Sequence, residues 1–476
     1  MVAILLGILV FIVAIIVWLH PKDNRHKVPP GPKALPLIGN LHMLRKQPHR
    51  TLQALAAKYG PIMFLKLGQV PTVVVSSPEA AELFLKTHDL DFANRPKFQL
   101  ELWRGEKKGQ RDVVTRTNEE VSEAEGEIDG KRMRNRVAMA AKFGMGEEGR
   151  MVVGWDGNLV KFLLRMLRDD HDHDDNNNDD VVVVIYMDKG IRKKVHKLRK
   201  PINEALEHII EDHQNTNYDD DDDSPQKKDF VDILLSFLDQ PMDPDEEQHK
   251  HVLTRNDIKA IMMDMIGAAY ETSTSAIEWV MSELLKHPSV MKKLQHEIQH
   301  AVGGINKEVE ENEIENMPYL DMVVKETLRL YPVAPLLVPH VSRNDVVIEG
   351  YYIKRNTQII INAWAIGRDP RVWSENAEKF YPERFEHNNV DILGRDFRFI
   401  PFGSGRRGCP GAQLGFATIK FVVAQLVHCF NWELPFGMSC DELDMNETFG
   451  ITIPRTTHLL AIPTFRLTAE AASNKE

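Results

Sequence analysis

The chemistry of this chain starts at a lone cysteine in a glycine-rich loop. In Phe399-Ile400-Pro401-Phe402-Gly403-Ser404-Gly405-Arg406-Arg407-Gly408-Cys409-Pro410-Gly411, the cysteine follows an aromatic residue and precedes a long apolar helical pattern running from about Gly411 to Phe430. Glycines permit backbone conformations that let such a loop close tightly and aim N–H groups at the sulfur. The positive end of the following helix favours thiolate over thiol. With no second cysteine nearby, a buried thiolate here suits structural zinc poorly and an axial bond to haem iron well. A buried free cysteine in a turn is the plainer alternative.

Two further groups of reactive side chains precede the cysteine. Ala268-Ala269-Tyr270-Glu271-Thr272-Ser273 sets an acid and hydroxyls beside two small residues in an otherwise apolar run. Cleaving an O–O bond on a metal needs protons delivered to oxygen and little other water, so an acid and an alcohol beside a groove suit that task. A polar patch satisfied by its own helix backbone is the alternative. Further on, Glu326 and Arg329 fall at i and i+3 on one helix face. Elsewhere such a pair would be a solvated ion pair worth little.

The positioning elements follow from pattern. Thr254 with Asp257 is a helix-start signal, and no breaker intervenes before Lys286-His287-Pro288. Between Ile258 and Ala269 that helix is apolar on nearly every face except at Lys259 and Asp264, as befits a helix crossing a large core. Tyr319 to Leu330 reads as a helix halted by Tyr331-Pro332. Strands are predicted at Ile62 to Leu67 and Thr72 to Val75 around a Gly68 to Pro71 turn, and at Val346 to Ile353 and Gln358 to Ile361. Helices are predicted over Thr51 to Tyr59, Ser76 to Thr87 (with Pro78 early and Glu79 placed for a capping box), Ile191 to Asp212 and Phe230 to Leu238.

Taken together, Phe402-x-x-Gly405-x-Arg407-x-Cys409-x-Gly411, the Ala268 to Ser273 run, Glu326-x-x-Arg329 and Pro382-Glu383-Arg384-Phe385 resemble the signatures of the cytochromes P450, in the expected order. Phe92-Ala93-Asn94-Arg95-Pro96 resembles the family's segment after an early helix, and Ala365-Ile366-Gly367-Arg368-Asp369-Pro370 resembles its plant microsomal branch. The resemblance implies a mainly α fold with small β-sheets. It implies that Cys409 binds the iron of haem b, that Arg407 pairs a haem propionate, with His340 as another donor, and that Phe402 shields the sulfur, with Gly411 closing the motif. Glu271 and Thr272 become the proton-relay pair, with Ala268 and Ala269 leaving room for dioxygen and substrate. Glu326, Arg329 and Arg384 would lock the cysteine loop, a bidentate role that suits arginine. Val333, Ala334, Leu336, Phe449, Gly450 and Ile451 match pocket-lining segments of the family, although any of them could equally be core. Their apolar character implies a lipophilic substrate.

The start of the chain reads as a membrane anchor. Val2 to Leu19 is an uninterrupted apolar run of 18 residues, followed by Lys22, Arg25 and Lys27. It has no charged n-region and no small-residue cleavage site, so a retained helix is expected, with everything after it on the cytoplasmic side. Val28-Pro29-Pro30-Gly31-Pro32 then forms a stiff spacer. The expected organisation is an anchor at 1–20, a hinge at 21–32 and a catalytic domain at 33–470, in the endoplasmic reticulum membrane.

Between about 97 and 190 the residue-level resemblance stops. Arg111 to Arg136 is almost wholly polar, and Asp169 to Asn178 is a low-complexity Asp/His/Asn tract, better read as solvated chain than as a metal site. Trp103-Arg104-Gly105-Glu106-Lys107-Lys108 imitates the family's propionate-binding helix, but it lies too soon after Pro96 and carries a glycine. A formal charge of −11 gives no support to nucleic-acid binding, and Cys409, Cys429 and Cys440 form no disulfide framework. No dinucleotide, flavin or iron–sulfur motif is present, so NADPH electrons must come through a separate reductase, for which Arg395, Arg398, Arg406 and Arg407 offer a basic docking face. The expected activity is monooxygenation of a small lipophilic molecule. The alternatives are an inactive P450-like protein with impaired haem binding, argued from 97–190, and a haem-thiolate isomerase or dehydratase, which the intact Glu271-Thr272 pair disfavours.

Overall fold

The computed structural model describes residues 27–44, 46–96, 189–215, 229–238, 252–305, 307–388 and 390–466. The expected anchor, nearly all of 97–190 and the Asp219 to Asp223 run lie outside these residues.

Ten α-helices and eight strands order the described chain: α1 (Pro48–Tyr59), β1 (Ile62–Leu67), β2 (Val70–Val75), α2 (Pro78–Glu82), α3 (Lys189–Asn215), α4 (Phe230–Ser236), α5 (Arg255–Lys286), α6 (Pro288–Val302), α7 (Pro318–Leu330), β3 (His340–Val341), β4 (Val346–Ile348), β5 (Tyr351–Ile353), β6 (Gln358–Ile361), α8 (Ala363–Ile366), α9 (Pro370–Trp373), α10 (Ala412–Cys429), β7 (Phe430–Glu433) and β8 (Ile462–Phe465). The long helix α5 has 32 residues, about 48 Å at 1.5 Å per residue. Its start is the expected capping box, in which Thr254 and Asp257 each accept from the other's backbone N–H.

Two expectations shift by local chemistry. The cap of α2 is Ser77, not Ser76: its hydroxyl accepts from the Ala80 N–H, so Glu79 sits in the first turn without completing a box. The strand expected over Val346 to Ile353 is a hairpin, because Glu349 and Gly350 both take positive φ (50° and 75°) and turn the chain between β4 and β5.

The main sheet runs β1-β2-β6-β3, with β2 and β6 parallel and the other pairs antiparallel. In its register His340 stands opposite Ile359, and Val341 also bridges to Ala93 and Asn94. The 92–95 segment is thereby carried to the same edge as His340. The largest core joins the C-terminal half of α5 to α6, α7 and α10 around Val280, Leu284, Leu320, Val323 and Val423. Among the described residues, α10 is the one helix long and apolar enough to cross a membrane, and its Ile419, Val423, Ala424 and Val427 belong to this core. The proline-rich spacer is fastened to the sheets: the Pro30 carbonyl accepts from Phe64 N (2.8 Å), and Tyr352 N donates to the Lys27 carbonyl (2.8 Å).

Candidate active site

Glycine geometry builds the cysteine loop. Gly405 has φ +69°, and a Cβ there would come within 2.2 Å of the Leu85 carbonyl oxygen. Arg406 N donates to the Asp89 carboxylate at 3.1 Å, and Ser404 Oγ donates to the Gly394 carbonyl at 2.7 Å. Cys409 N donates to the Phe402 carbonyl at 2.8 Å, closing the turn just before α10 begins after Gly411. The loop encloses its own backbone and leaves Cys409 exposed.

Beside this loop lies a cluster of cations that the sequence reading recognised only in part. Arg407 Nε donates to the Ala93 carbonyl (2.6 Å), and Arg95 donates to the carbonyls of Val338 (2.5 Å), Pro339 (3.1 Å) and Arg407 (3.3 Å). Buried His340 has Nδ1 3.0 Å from the Phe92 carbonyl. A carbonyl only accepts, so the ring proton is on Nδ1, and Nε2 carries the lone pair while the ring is neutral. Burial, then Arg95, push His340 down to about 3 despite the Phe92 bond. Burial and Arg407 lower Arg95 to about 9. Among the described residues, the hydrogen-bond partners of Arg95 are carbonyls. Two guanidinium groups and an imidazole converge here, and a diacid such as haem with its two propionates fits such donors. Arg95 lies in the Phe92–Pro96 segment, and the register that brings it beside His340 leaves no local signal in the sequence.

The oxygen-side residues fall mid-helix on α5. Ala268 and Ala269 are exposed there, although Ala276, Trp279 and Val280 further along are fully buried. Thr272 Oγ1 donates to the Ala268 carbonyl at 2.7 Å, back-bonded to its own helix. The carboxylate of Glu271 accepts instead from outside the helix, from Thr452 Oγ1 at 2.7 Å.

Glu326, Arg329 and Arg384 meet in one buried network. Glu326 Oε2 accepts from Arg329 Nε (2.7 Å), while Oε1 accepts from Arg329 Nη2, Arg384 Nε and Tyr381 N (2.8 Å each). Arg329 also donates to the carbonyls of Gly367 (2.5 Å), Ala377 (2.6 Å) and Lys379 (3.2 Å), and its guanidinium lies 5.3 Å from the Trp373 ring centroid. Arg384 donates to the carbonyls of Trp373, Asn376 and Lys379. A charge cluster this buried persists because every donor is directed at an oxygen.

The pocket-lining candidates divide. Ile451 is exposed and Ala334 half-buried, whereas Val333 packs on the main core, Leu336 on the core between α1 and the sheet, and Phe449 stacks on buried His49 at 5.6 Å between ring centroids. The arginine face is largely engaged from within. Arg398 pairs with Asp396 and Arg406 with Asp89, Arg407 points to Ala93, and Arg395 is exposed.

Helices packed around α5, a small mixed sheet and a glycine-shaped cysteine loop before α10 define a haem-thiolate type of fold and site. The profile of the Cytochrome P450 family matches residues 29–124 and 111–460, running through the stretch where motif resemblance stops. Cytochrome P450 CYP736A12 of Panax ginseng is 44% identical over 94% of this chain and 95% of its own length. Germacrene A hydroxylase of Saussurea costus is 34% identical (94% and 95%), and amorpha-4,11-diene 12-monooxygenase of Artemisia annua is 35% identical (92% of each). The chain therefore belongs to the cytochrome P450 family, and it is an enzyme, a cytochrome P450 monooxygenase. The alternative of an inactive relative, argued from 97–190, gains no support from matches that span that stretch.

Proposed function

We propose that this enzyme inserts one oxygen atom of O2 into a small lipophilic substrate of the terpenoid class, with NADPH electrons delivered by a separate NADPH–cytochrome P450 reductase. Two of its relatives, named for oxidation of germacrene A and of amorpha-4,11-diene, support the substrate class. The observation that carries the reading is the convergence of Arg95, Arg407 and His340 beside the Cys409 loop. Cys409 would bind the iron, and Arg95, Arg407 and His340 would hold the propionates. Haem with a thiolate ligand supplies the oxygen-activating chemistry.

The remaining roles belong to the chain. Phe402 fixes the Cys409 N–H through its carbonyl, so the thiolate keeps one orientation. Glu326, Arg329 and Arg384 tie α7 to the 367–384 segment that precedes the loop. Ala268 and Ala269 leave space along α5, Thr272 Oγ1 offers lone pairs while its proton is held by Ala268, and Glu271 moves protons inward. Ala334 and Ile451 bound the substrate side, with Val333, Leu336 and Phe449 as the packed wall behind. The anchor at 1–20 and hinge at 21–32 would hold the catalytic domain, 33–470, on the cytoplasmic face of the endoplasmic reticulum.

The reduced, carbon-monoxide difference spectrum of the purified protein tests the centre of this reading. A red-shifted thiolate band that Cys409→Ser abolishes is expected; a protein that retains no haem would refute it. Amorpha-4,11-diene and germacrene A are the first substrates to try, read by the spin-state shift on binding. Replacing Thr272 by Ala should raise NADPH consumed per product about ten-fold, and unchanged coupling would remove Thr272 from the relay.

A further inference from the structure

We propose that Thr452 is the positioning residue for the Glu271 carboxylate, so that the acid on α5 takes its orientation from the C-terminal loop. The inference rests on the reading of Glu271 as a proton carrier. Thr452 is 8% exposed and donates its hydroxyl proton to Glu271 Oε1 at 2.7 Å. A hydroxyl has one proton to give, so Oε1 is fixed and Oε2 is left to accept and pass protons.

The donor is itself held rigidly. Ile453 N donates to the Val333 carbonyl (2.9 Å), and the fully buried Trp279 donates through Nε1 to the Ile453 carbonyl (2.8 Å). Arg455 donates to Ser282 Oγ, and Leu459 N donates to Glu278 Oε1 (2.7 Å). Glu278, Trp279 and Ser282 follow Glu271 by 7, 8 and 11 residues, so the four span an arc of about 100° on a helix of 3.6 residues per turn. One face of α5 is therefore riveted to residues 452–459, and Glu271 is the rivet that lies within the Ala268–Thr272 stretch. An exposed glutamate alone would spread over several rotamers; a fixed hydroxyl selects one. Thr452 neighbours Ile451, which ties the acid's placement to the segment proposed to meet substrate.

The test uses the haem-loaded enzyme with reductase and NADPH, comparing the native protein with Thr452→Val, Thr452→Ser, Glu271→Gln and the Val/Gln double variant. Hydrogen peroxide released per NADPH and the solvent deuterium effect on NADPH oxidation need no identified substrate. Thr452→Val is expected to raise the peroxide share about three- to ten-fold, the range of one hydrogen bond, and to alter the deuterium effect. Serine should restore native behaviour, and the double variant should be no worse than Glu271→Gln alone. A crystal structure of Thr452→Val should show the Glu271 carboxylate displaced. If Glu271→Gln uncouples while Thr452→Val behaves as native, the positioning role is refuted. If Glu271→Gln itself leaves coupling intact, the proton-carrier reading fails and this inference falls with it. Should valine not be accommodated, as judged by the carbon-monoxide spectrum, Thr452→Ala carries the same comparison.

Discussion

Arg95 has three hydrogen bonds and a lowered pKa, yet its hydrogen-bond partners among the described residues are all carbonyl dipoles. Burying a guanidinium against dipoles costs energy that a full negative charge would return. Arg95→Leu should therefore weaken haem affinity by about ten-fold or more, measured by haem transfer to an apo-acceptor protein, with little change in secondary structure by circular dichroism. Equal haem retention in the variant would place the propionates elsewhere. Glu326 poses the opposite case, one carboxylate satisfying two buried arginines and a backbone N–H. Removing it strands both cations, so Glu326→Ala should cost about 3–5 kcal/mol in denaturant unfolding. Arg329→Lys should rescue little, because a single ammonium cannot span Glu326 and the Gly367, Ala377 and Lys379 carbonyls together.

At the scale of elements, the cysteine loop and α5 are fixed by different means. Gly405 faces the Leu85 carbonyl at a distance that no side chain tolerates, and it also has positive φ. Gly405→Ala should pull the loop from the Leu85–Asp89 turn and lower the haem content, read as the ratio of Soret to protein absorbance. The start of α5 rests on its capping box, and Thr254→Ala should cost about 1 kcal/mol without touching haem binding. The ends of these elements were readable in the sequence because caps and breakers are local. The fold of Val346 to Ile353 was only partly so: Glu349-Gly350 interrupts the β-branched and aromatic residues, but a lone glycine marks a bulge as readily as a turn, and the positive φ at both residues decides for a hairpin.

At the scale of the whole molecule, the first helix is tied to the last loops. Glu447 accepts from His49 Nε2 (3.0 Å) and from Arg50 Nε (2.7 Å) and Nη2 (2.9 Å), with His49 packed against Trp364 and Phe449. Burial pushes the Glu447 carboxyl up, but hydrogen bonds from His49 and Arg50 outweigh it and bring it down to about 2. A carboxyl held below its unfolded value of 4.5 contributes stability that is full above 4.5 and lost as pH falls toward 2. Glu447→Gln should thus lower the unfolding free energy at pH 7 and flatten its decline between about pH 4.5 and 2. An unchanged slope in acid-denaturation curves would show that the charge contributes nothing there.

The same contrast runs through the whole chain. Sequence alone determined the parts whose partners lie within a few residues: the glycine spacing before Cys409, the Glu326 and Arg329 pair one helical turn apart, and the start and stop of α5. It also ordered these motifs along the chain, which was enough to suggest the family. Only the tertiary structure decided which distant groups meet. Arg95 reaches the Val338 carbonyl across 243 residues, Thr452 reaches Glu271 across 181, and Glu447 reaches His49 across 398. Periodicity and capping record interactions within an element, whereas these three contacts are created by sheet register and helix packing, whose free energy is spread over many apolar side chains that mark no particular partner.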